Sequence, residues 1–537
     1  MVYNVIDYGA KADGVSLDTD AIQAASDACF VSGGGIILIP EGKYLCGSVR
    51  LYSNTTVRIE QNAKLYLCTD ESVYGTLRGK YDTHYIRDEQ ELMGLPVETS
   101  LNFMQKMFLA ARRSHTDNMF YACGAENIVI EGDGVIDGQY EYFFKSETGG
   151  EDGTYETLFS DTVPRWQRRL DEGLLLPKAF RPHIVYMQEC KNVRIRNLNL
   201  LNSPFFNIRI ADSEGVRCES LNIQTNKRCQ NTDGINLSGC RNCFITGCRI
   251  VTGDDCIAVS SGEMPPRKYS CENIVISDCI GSTYCNFFRI FNGIDADVCY
   301  EEGVATPEAL EISRKQGVKN VSITNCILEK GGCFANLVAV YGAVEQVHIM
   351  NCTEACGGKD AAVFIAVQRK GRIRDITIDG LECRVKGGVT VQGTDRESIE
   401  RVVLRNCRFY IEPTSKLFGN GLIDPLVQYW VSDLAPYNMY IRHATDVRFI
   451  DCEVEWGEAD IDDIWEIADE AKRPQIYNGL WREDMNPSDS WPCIDAFDVD
   501  GLYIRDFRGS AFGDADVVRV RNVARLVSDS KADGGDR

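Results

Sequence analysis

One phrase recurs along this chain and limits its fold more than any other feature. It reads KNVRIRNLNL from Lys191, EGVRCESLNI from Glu214, RNCFITGCRI from Arg241 and ENIVISDCI from Glu272. It returns as KNVSITNCIL from Lys319, EQVHIMNCTE from Glu345, RDITIDGLEC from Arg374, ERVVLRNCRF from Glu400 and TDVRFIDCEV from Thr445. Each copy is a polar turn, then alternating apolar and polar residues, then Asn, Asp or Gly and commonly a cysteine. Successive copies mostly begin about 23 to 31 residues apart, with longer gaps near 273–320 and 401–446, and a period in that range signals a solenoid.

Alternation at period two marks the units as strands rather than helices. Short strands divided by Gly, Asn and Asp turns, with no helical pattern between them, predict an all-β fold: a parallel β-helix whose coils stack about 4.8 Å apart. A solenoid needs its ends covered, and 18–31, with Ile22, Ala25 and Cys29 at helical spacing before Gly33, predicts a short N-terminal capping helix. The repeat suggests a single domain over 1–525, with long inserted loops at 70–117, 139–180 and 456–491. Such loops often carry function. The polar tail 526–537 is expected to be disordered.

The recurring cysteines, Cys248, Cys279, Cys326, Cys352 and Cys407 among them, are expected to form an internal stack, since a free cysteine behaves as a small buried hydrophobe. Cys240 and Cys243 have the CxxC spacing of a zinc site but lack a second pair at a suitable distance, so the stack is the better account. The N-terminal MVYNVIDYGAKADG lacks the pattern of a secretory signal, so reduced thiols and a cytoplasmic location are expected for the 23 cysteines. A net charge of −22 argues against broad binding to nucleic acid or an anionic membrane surface. No apolar run approaches the roughly 20 residues of a spanning helix.

Residues 230–263, QNTDGINLSGCRNCFITGCRIVTGDDCIAVSSGE, hold Asp233 and, about one coil later, Asp254 and Asp255, each knot beside a glycine. In a β-helix these occupy neighbouring rungs and converge on one cleft. Strict alternation would send Asp254 and Asp255 to opposite faces, so an irregular strand is expected there, with Gly234 and Gly253 the natural places for it. Three clustered carboxylates cannot all ionise easily, and at least one should keep a proton near neutrality. That asymmetry serves glycoside hydrolysis. An isolated TDG or GDD is more often a plain turn, and carboxylate clusters also suit calcium.

DYGAKADGVSLDTDAIQAA and GGGIILIPEGKYLCGSVRLYSNTTVRIE resemble the N-terminal coil of pectinase-type β-helix proteins. RPHIVYMQECKNVRIRNLNLLNSPFFNI, NTDGINLSGCRN and TGDDCIAVSSGE resemble successive signatures of the polygalacturonase family, glycoside hydrolase family 28. The likeness runs from about residue 3 to about residue 510. It implies a right-handed parallel β-helix of the pectin-lyase-type superfamily. It also implies an inverting hydrolase with Asp254 as general acid, and Asp233 and Asp255 positioning and deprotonating water. No cofactor and no metal are implied.

The chain departs from the family after the aspartates. Where the family has a Gly-His-Gly strand and then an Arg-Ile-Lys strand, this sequence reads GSTYCNFFRIFNG and GCFANLVAVYG. Its histidines, His84, His115, His183, His348 and His443, fall elsewhere. Arg289 is the best local substitute for binding a substrate carboxylate, with Arg209 second, since a guanidinium holds a carboxylate through two hydrogen bonds. Asn231 and Asn286 are candidates for sugar hydroxyls, and Tyr284, Phe287 and Phe288 for a stacking platform. The expected partner is an oligosaccharide, with oligogalacturonide the default and exo action suggested by the long insertions. The competing expectations are a hydrolase of a neutral or non-galacturonate sugar, an inactive carbohydrate-binding β-helix, and, more weakly, a lyase or epimerase.

Overall fold

The computed structural model describes residues 1–74, 118–145, 175–177, 180–262, 268–293, 307–412, 439–457 and 492–529. Its contacts divide the chain into two compact units, Met1–Tyr284 with Asp295–Ser313 and Cys285–Ile294 with Arg314–Arg537. Each is a run of right-handed parallel β-helix coils, whereas the repeat alone suggests one domain running to residue 525. Most of the three insertions lies outside the described residues.

The recurring phrase owes its spelling to two corners of every coil. The first corner holds a residue in the left-handed backbone region: Asn127, Asn192, Asn242 and Asn273 in the first unit, with φ between 55 and 59°. Asparagine tolerates that conformation better than other residues with a side chain. Here its amide also links coils, Asn192 donating to Asn127 at 3.1 Å and Asn127 to Asn54 at 2.8 Å. The second corner is again left-handed, at Asn197, Ser220, Gly247 and Asp278, and the next residue is buried: Leu198, Leu221, Cys248 and Cys279. A polar left-handed corner followed by a small inward residue accounts for the NC, GC and DC endings.

Between the corners, columns of apolar side chains fill the interior. In the first unit Phe120, Val185, Ile208, Ile235 and Ile257 align from coil to coil. A second column runs Ile130, Ile195, Cys218, Ile245, Ile276, so a cysteine stands where its neighbours are isoleucines. All ten are at most 1% exposed. The second unit repeats the pattern with Val321, Val347, Ile376, Val402, Val447 and Leu502 in register. Each fully buried aliphatic side chain contributes about 1.5–3 kcal/mol, so repetition rather than any single contact holds the solenoid.

The helix Thr19–Val31 closes the first coils, burying Ile22, Ala25 and Cys29, and Ser26 Oγ donates to Arg50 O at 2.7 Å. At the other end, the short strand Leu526–Ser528 extends the coils into the first residues of the segment expected to be a disordered tail.

The 21 described cysteines are all free thiols. Cys240 and Cys243 point into the core, Cys240 Sγ donating to Ile210 O at 3.2 Å and Cys243 Sγ to Arg241 O at 3.4 Å. Among the described residues, no third ligand joins them.

Candidate active site

The column beside Val185, Ile208, Ile235 and Ile257 reads Tyr186, Arg209, Asn236 and Ala258, with Arg209 and Asn236 half-buried and Tyr186 and Ala258 buried. The polar turns entering these strands carry the aspartates. Turn 229–234 lies one coil from turn 252–256. Gly253 N–H donates to Thr232 Oγ1 at 3.0 Å, Gly234 N–H to Asp255 O at 3.0 Å, and Ile235 N–H to Cys256 O at 3.0 Å. The glycines permit this closeness. A Cβ on Gly253 would sit 1.8 Å from Cys229 O, and one on Gly234 2.4 Å from Cys256 O.

Residues 253–256 form an irregular link between the strands Arg249–Thr252 and Ile257–Ser261. Alternation is suspended there, and carboxylate oxygens of Asp254 and Asp255 come within 4.8 Å of each other. Hydrogen bonds to both the side chain and the backbone of Asp254 fix it in place. Asp255 N–H donates to Asp254 Oδ1 at 3.0 Å, and Thr252 Oγ1 to Asp254 O at 2.7 Å.

The three carboxyls differ in surroundings. Asp233 and Asp255 are buried, at 5% and 4% exposed, while Asp254 is half-buried. Asp233 Oδ2 accepts from Asn236 Nδ2 at 3.0 Å, and its buried Oδ1 accepts no hydrogen bond among the described residues. Burial first, then the negative charges of Asp254 and Asp255, raise the Asp233 pKa well above the usual carboxylate range. Of the three, Asp233 is therefore where the structure gives a cause for a proton retained toward neutrality. The spacing of Asp254 and Asp255 would also admit a divalent cation.

The remaining sequence candidates fall in different places. Arg209 is half-buried on the strand Ile208–Ala211, opposite Asn236, with its guanidinium 5.2 Å from the Phe206 ring centre. Asn231 donates its backbone N–H to Asp254 Oδ2 at 3.2 Å and its side-chain amide to the same oxygen at 3.4 Å. Tyr284, half-buried, ends the main stretch of the first unit, its N–H donating to Thr252 O at 3.3 Å. Asn286 and Arg289 belong to the second unit and are buried there. Asn286 Oδ1 accepts from Asn336 at 3.4 Å, and the Arg289 guanidinium lies 5.0 Å from the Phe291 ring centre. Phe287 and Phe288 do not form an exposed platform. Both are at most 1% exposed and pack against Phe334 with ring centres 5.6 and 5.5 Å away, because sugar stacking and core packing ask for the same side chains.

Sequence reasoning missed two residues. Asn236, the outward residue following TDGI, is signalled by strand alternation alone. Arg181, in the RPH that opens the buried strand His183–Gln188, is 3% exposed and donates to Gln230 O at 2.8 Å and Asn231 Oδ1 at 3.2 Å. His183 beside it is wholly buried among Phe205, Phe206 and Tyr186, and burial with the nearby charge of Arg209 holds its pKa well below the usual imidazole value.

The fold is a right-handed parallel β-helix that carries an aspartate and an aspartate pair on consecutive coils. The family model of glycosyl hydrolases family 28 matches residues 88–282, and that of rhamnogalacturonase A/epimerase, pectate lyase-like, matches residues 2–68. Over these residues the chain is similar to the polygalacturonase family, glycoside hydrolase family 28. It is 30% identical to a probable polygalacturonase of Vitis vinifera over 48% of this chain and 44% of that protein. It is also 30% identical to an endo-polygalacturonase of Pectobacterium carotovorum subsp. carotovorum over 56% of this chain and 66% of that protein. The chain thus spans less than half the length of the first of these curated relatives. Among solved structures, an exopolygalacturonase from Thermotoga maritima shares the fold with a TM-score of 0.50 at 18% identity, over 76% of this chain and 87% of that one. A family 28 exopolygalacturonase of Yersinia enterocolitica does so with a TM-score of 0.51 at 14% identity, over 98% of this chain and 78% of that one.

Proposed function

We propose that this protein is a glycoside hydrolase that cleaves pectin-type oligosaccharides with inversion, using Asp233, Asp254 and Asp255, and that it acts from the chain end on oligogalacturonide-like substrates. The observation that carries the reading is the graded exposure of the three carboxyls, one half-open and two buried, brought together from consecutive coils.

In this reading Asp254, the one open to substrate, gives its proton to the glycosidic oxygen. The C–O electron pair leaves with that oxygen. A water oxygen forms the new bond to the anomeric carbon from the opposite face, and its proton passes to Asp255. Asp233, held neutral, positions the water by hydrogen bonding and avoids the repulsion that a second negative charge in the cluster would add. Arg209 is the cation on the column that includes Asn236, and we assign it to a substrate carboxylate. A cytoplasmic location, part of the same proposal, makes soluble oligosaccharide the substrate rather than intact polymer.

The test is product release from oligogalacturonides, rhamnogalacturonan oligomers and neutral plant oligosaccharides, with the anomer followed by NMR. Monomer or dimer released from one end as the inverted anomer is the expected outcome. Random internal cleavage removes the exo assignment, a neutral substrate removes the galacturonide, and binding without cleavage leaves a carbohydrate-binding protein.

A further inference from the structure

Arg181 buries a cationic guanidinium. Such a group is costly to bury unless hydrogen bonds or an opposite charge compensate it. Its donors grip the turn that carries the catalytic candidates at two adjacent residues, Gln230 through the carbonyl at 2.8 Å and Asn231 through Oδ1 at 3.2 Å. The Phe205 ring lies 4.6 Å and the Phe144 ring 5.5 Å from the guanidinium carbon, faces that suit a cation.

The contact with Asn231 bears on the acid. A side-chain amide has an acceptor end and a donor end, and the hydrogen-bond network decides which way it points. With a guanidinium on Oδ1, the NH2 end must turn away from Arg181, and it meets Asp254 Oδ2 at 3.4 Å beside the 3.2 Å bond from the backbone N–H. Asn231 is itself in the left-handed region, φ 54°, where the turn has no regular strand to hold it. Turned the other way, the amide would set an oxygen against the carboxylate that Asp254 becomes when it gives up its proton. Donors aimed at a developing negative charge stabilise the transition state, and misdirected ones do not.

We propose that Arg181 is the positioning residue of this acid site: it orients the Asn231 amide so that both Asn231 donors face Asp254. The inference rests on the hydrolase reading for its kinetic part and on geometry alone for its structural part. Arg181 acts through Asn231 and does not touch the sugar.

Arg181→Ala is expected to lower kcat by roughly 10²-fold, as loss of an aimed donor does elsewhere, with KM changed less than about threefold. Added methylguanidinium, occupying the space left between Phe144 and Phe205, is expected to restore a substantial part of kcat. Asn231→Leu leaves Arg181 in place and should cost the same, and the double variant should cost no more than either, because the two act in series. Should Arg181→Ala fail to fold, Asn231→Leu, its kcat–KM split and a crystal structure of Arg181→Lys carry the test. Unchanged kcat, an effect on KM alone, or additive losses overturn the proposal while leaving the hydrolase reading standing. If the wild-type enzyme cleaves nothing, the hydrolase reading falls and a crystal structure of Arg181→Ala decides the rest. An Asn231 amide turned from Asp254 upholds the positioning role, and an unmoved amide ends it.

Discussion

Asn236 donates to one oxygen of Asp233 at 3.0 Å while the other, which is buried, accepts no hydrogen bond among the described residues. A carboxylate so placed is poorly solvated, and burial together with Asp254 and Asp255 raises its pKa well above 3.8. The folded state therefore binds more protons than the unfolded chain between 3.8 and the raised value. Stability from this group is present below that window, declines as pH rises through it and is flat beyond, each pKa unit being worth about 1.4 kcal/mol. Asp233→Asn should thus unfold at a higher temperature than wild type at about pH 7 and converge with it toward about pH 4, while turnover is lost. Parallel melting curves across that range would show that Asp233 is not the strained carboxyl.

Asp254 is the only one of the three open enough to reach a leaving oxygen. Asp254→Asn keeps the size and the bond from Asp255 N–H but removes the proton that the proposed general acid delivers. Turnover should fall by about 10²–10⁴-fold, the usual range for a general acid, with the melting temperature within a few degrees of wild type. A substrate with a good leaving group, such as an aryl glycoside, needs less protonation and should recover much of the loss. A uniform loss over both substrates would move the acid role to another residue.

How much of this was legible follows from where the constraints lie along the chain. The corner asparagines and the residues after them, Asn242 to Cys248 for example, repeat at fixed spacing because each coil imposes the same backbone angles and the same inward position. Asp233 and Asp254 were legible because their glycines report a close approach of coils that no side chain survives. Arg181 was not, because its partner Asn231 is 50 positions away and a lone RPH has no local pattern. Phe287 and Phe288 were ambiguous for a different reason: alternation says that neighbours face opposite ways but not which way is solvent, and here both are buried. Leu526–Ser528 lies at the start of the tail, where two apolar residues precede the polar stretch, and it pairs in register with Leu502–Ile504.

Gly253 and Gly247 separate two reasons for a glycine. At Gly253 an added Cβ meets the carbonyl of Cys229 at 1.8 Å, so Gly253→Ala must push two coils apart at the aspartate turns themselves. The expected cost is about 1–3 kcal/mol, as for other overpacked sites, and kcat should fall sharply as Asp254 shifts. At Gly247, φ is 63° and the nearest atom to a Cβ is Ser220 Oγ at 3.8 Å. Gly247→Ala then costs only the left-handed backbone, about 1–2 kcal/mol, with kcat unchanged. Denaturant unfolding and kinetics on both variants check the contrast, and equal kcat in the two would detach the turn geometry from catalysis.

The thiols offer a test of the core that does not depend on any activity. Of the 21 described cysteines only Cys123 is not buried. Burial raises the pKa of Cys190 and of Cys256 to about 12 each, so neither supplies the thiolate that alkylation requires. Cys248 and Cys279 instead donate to backbone carbonyls at 3.5 and 3.2 Å, contacts available only to the thiol form. Among the 21 described cysteines, iodoacetamide at about pH 8, near the pKa of a free thiol, should therefore label Cys123 first under native conditions, while those of the columns react only as fast as the coils open. Peptide mapping by mass spectrometry, with and without denaturant, reads this directly. Rapid native labelling of Cys218, which takes an isoleucine's place between Ile195 and Ile245, would mean that the interior is open to solvent, and the stacking account of the repeat would have to be abandoned.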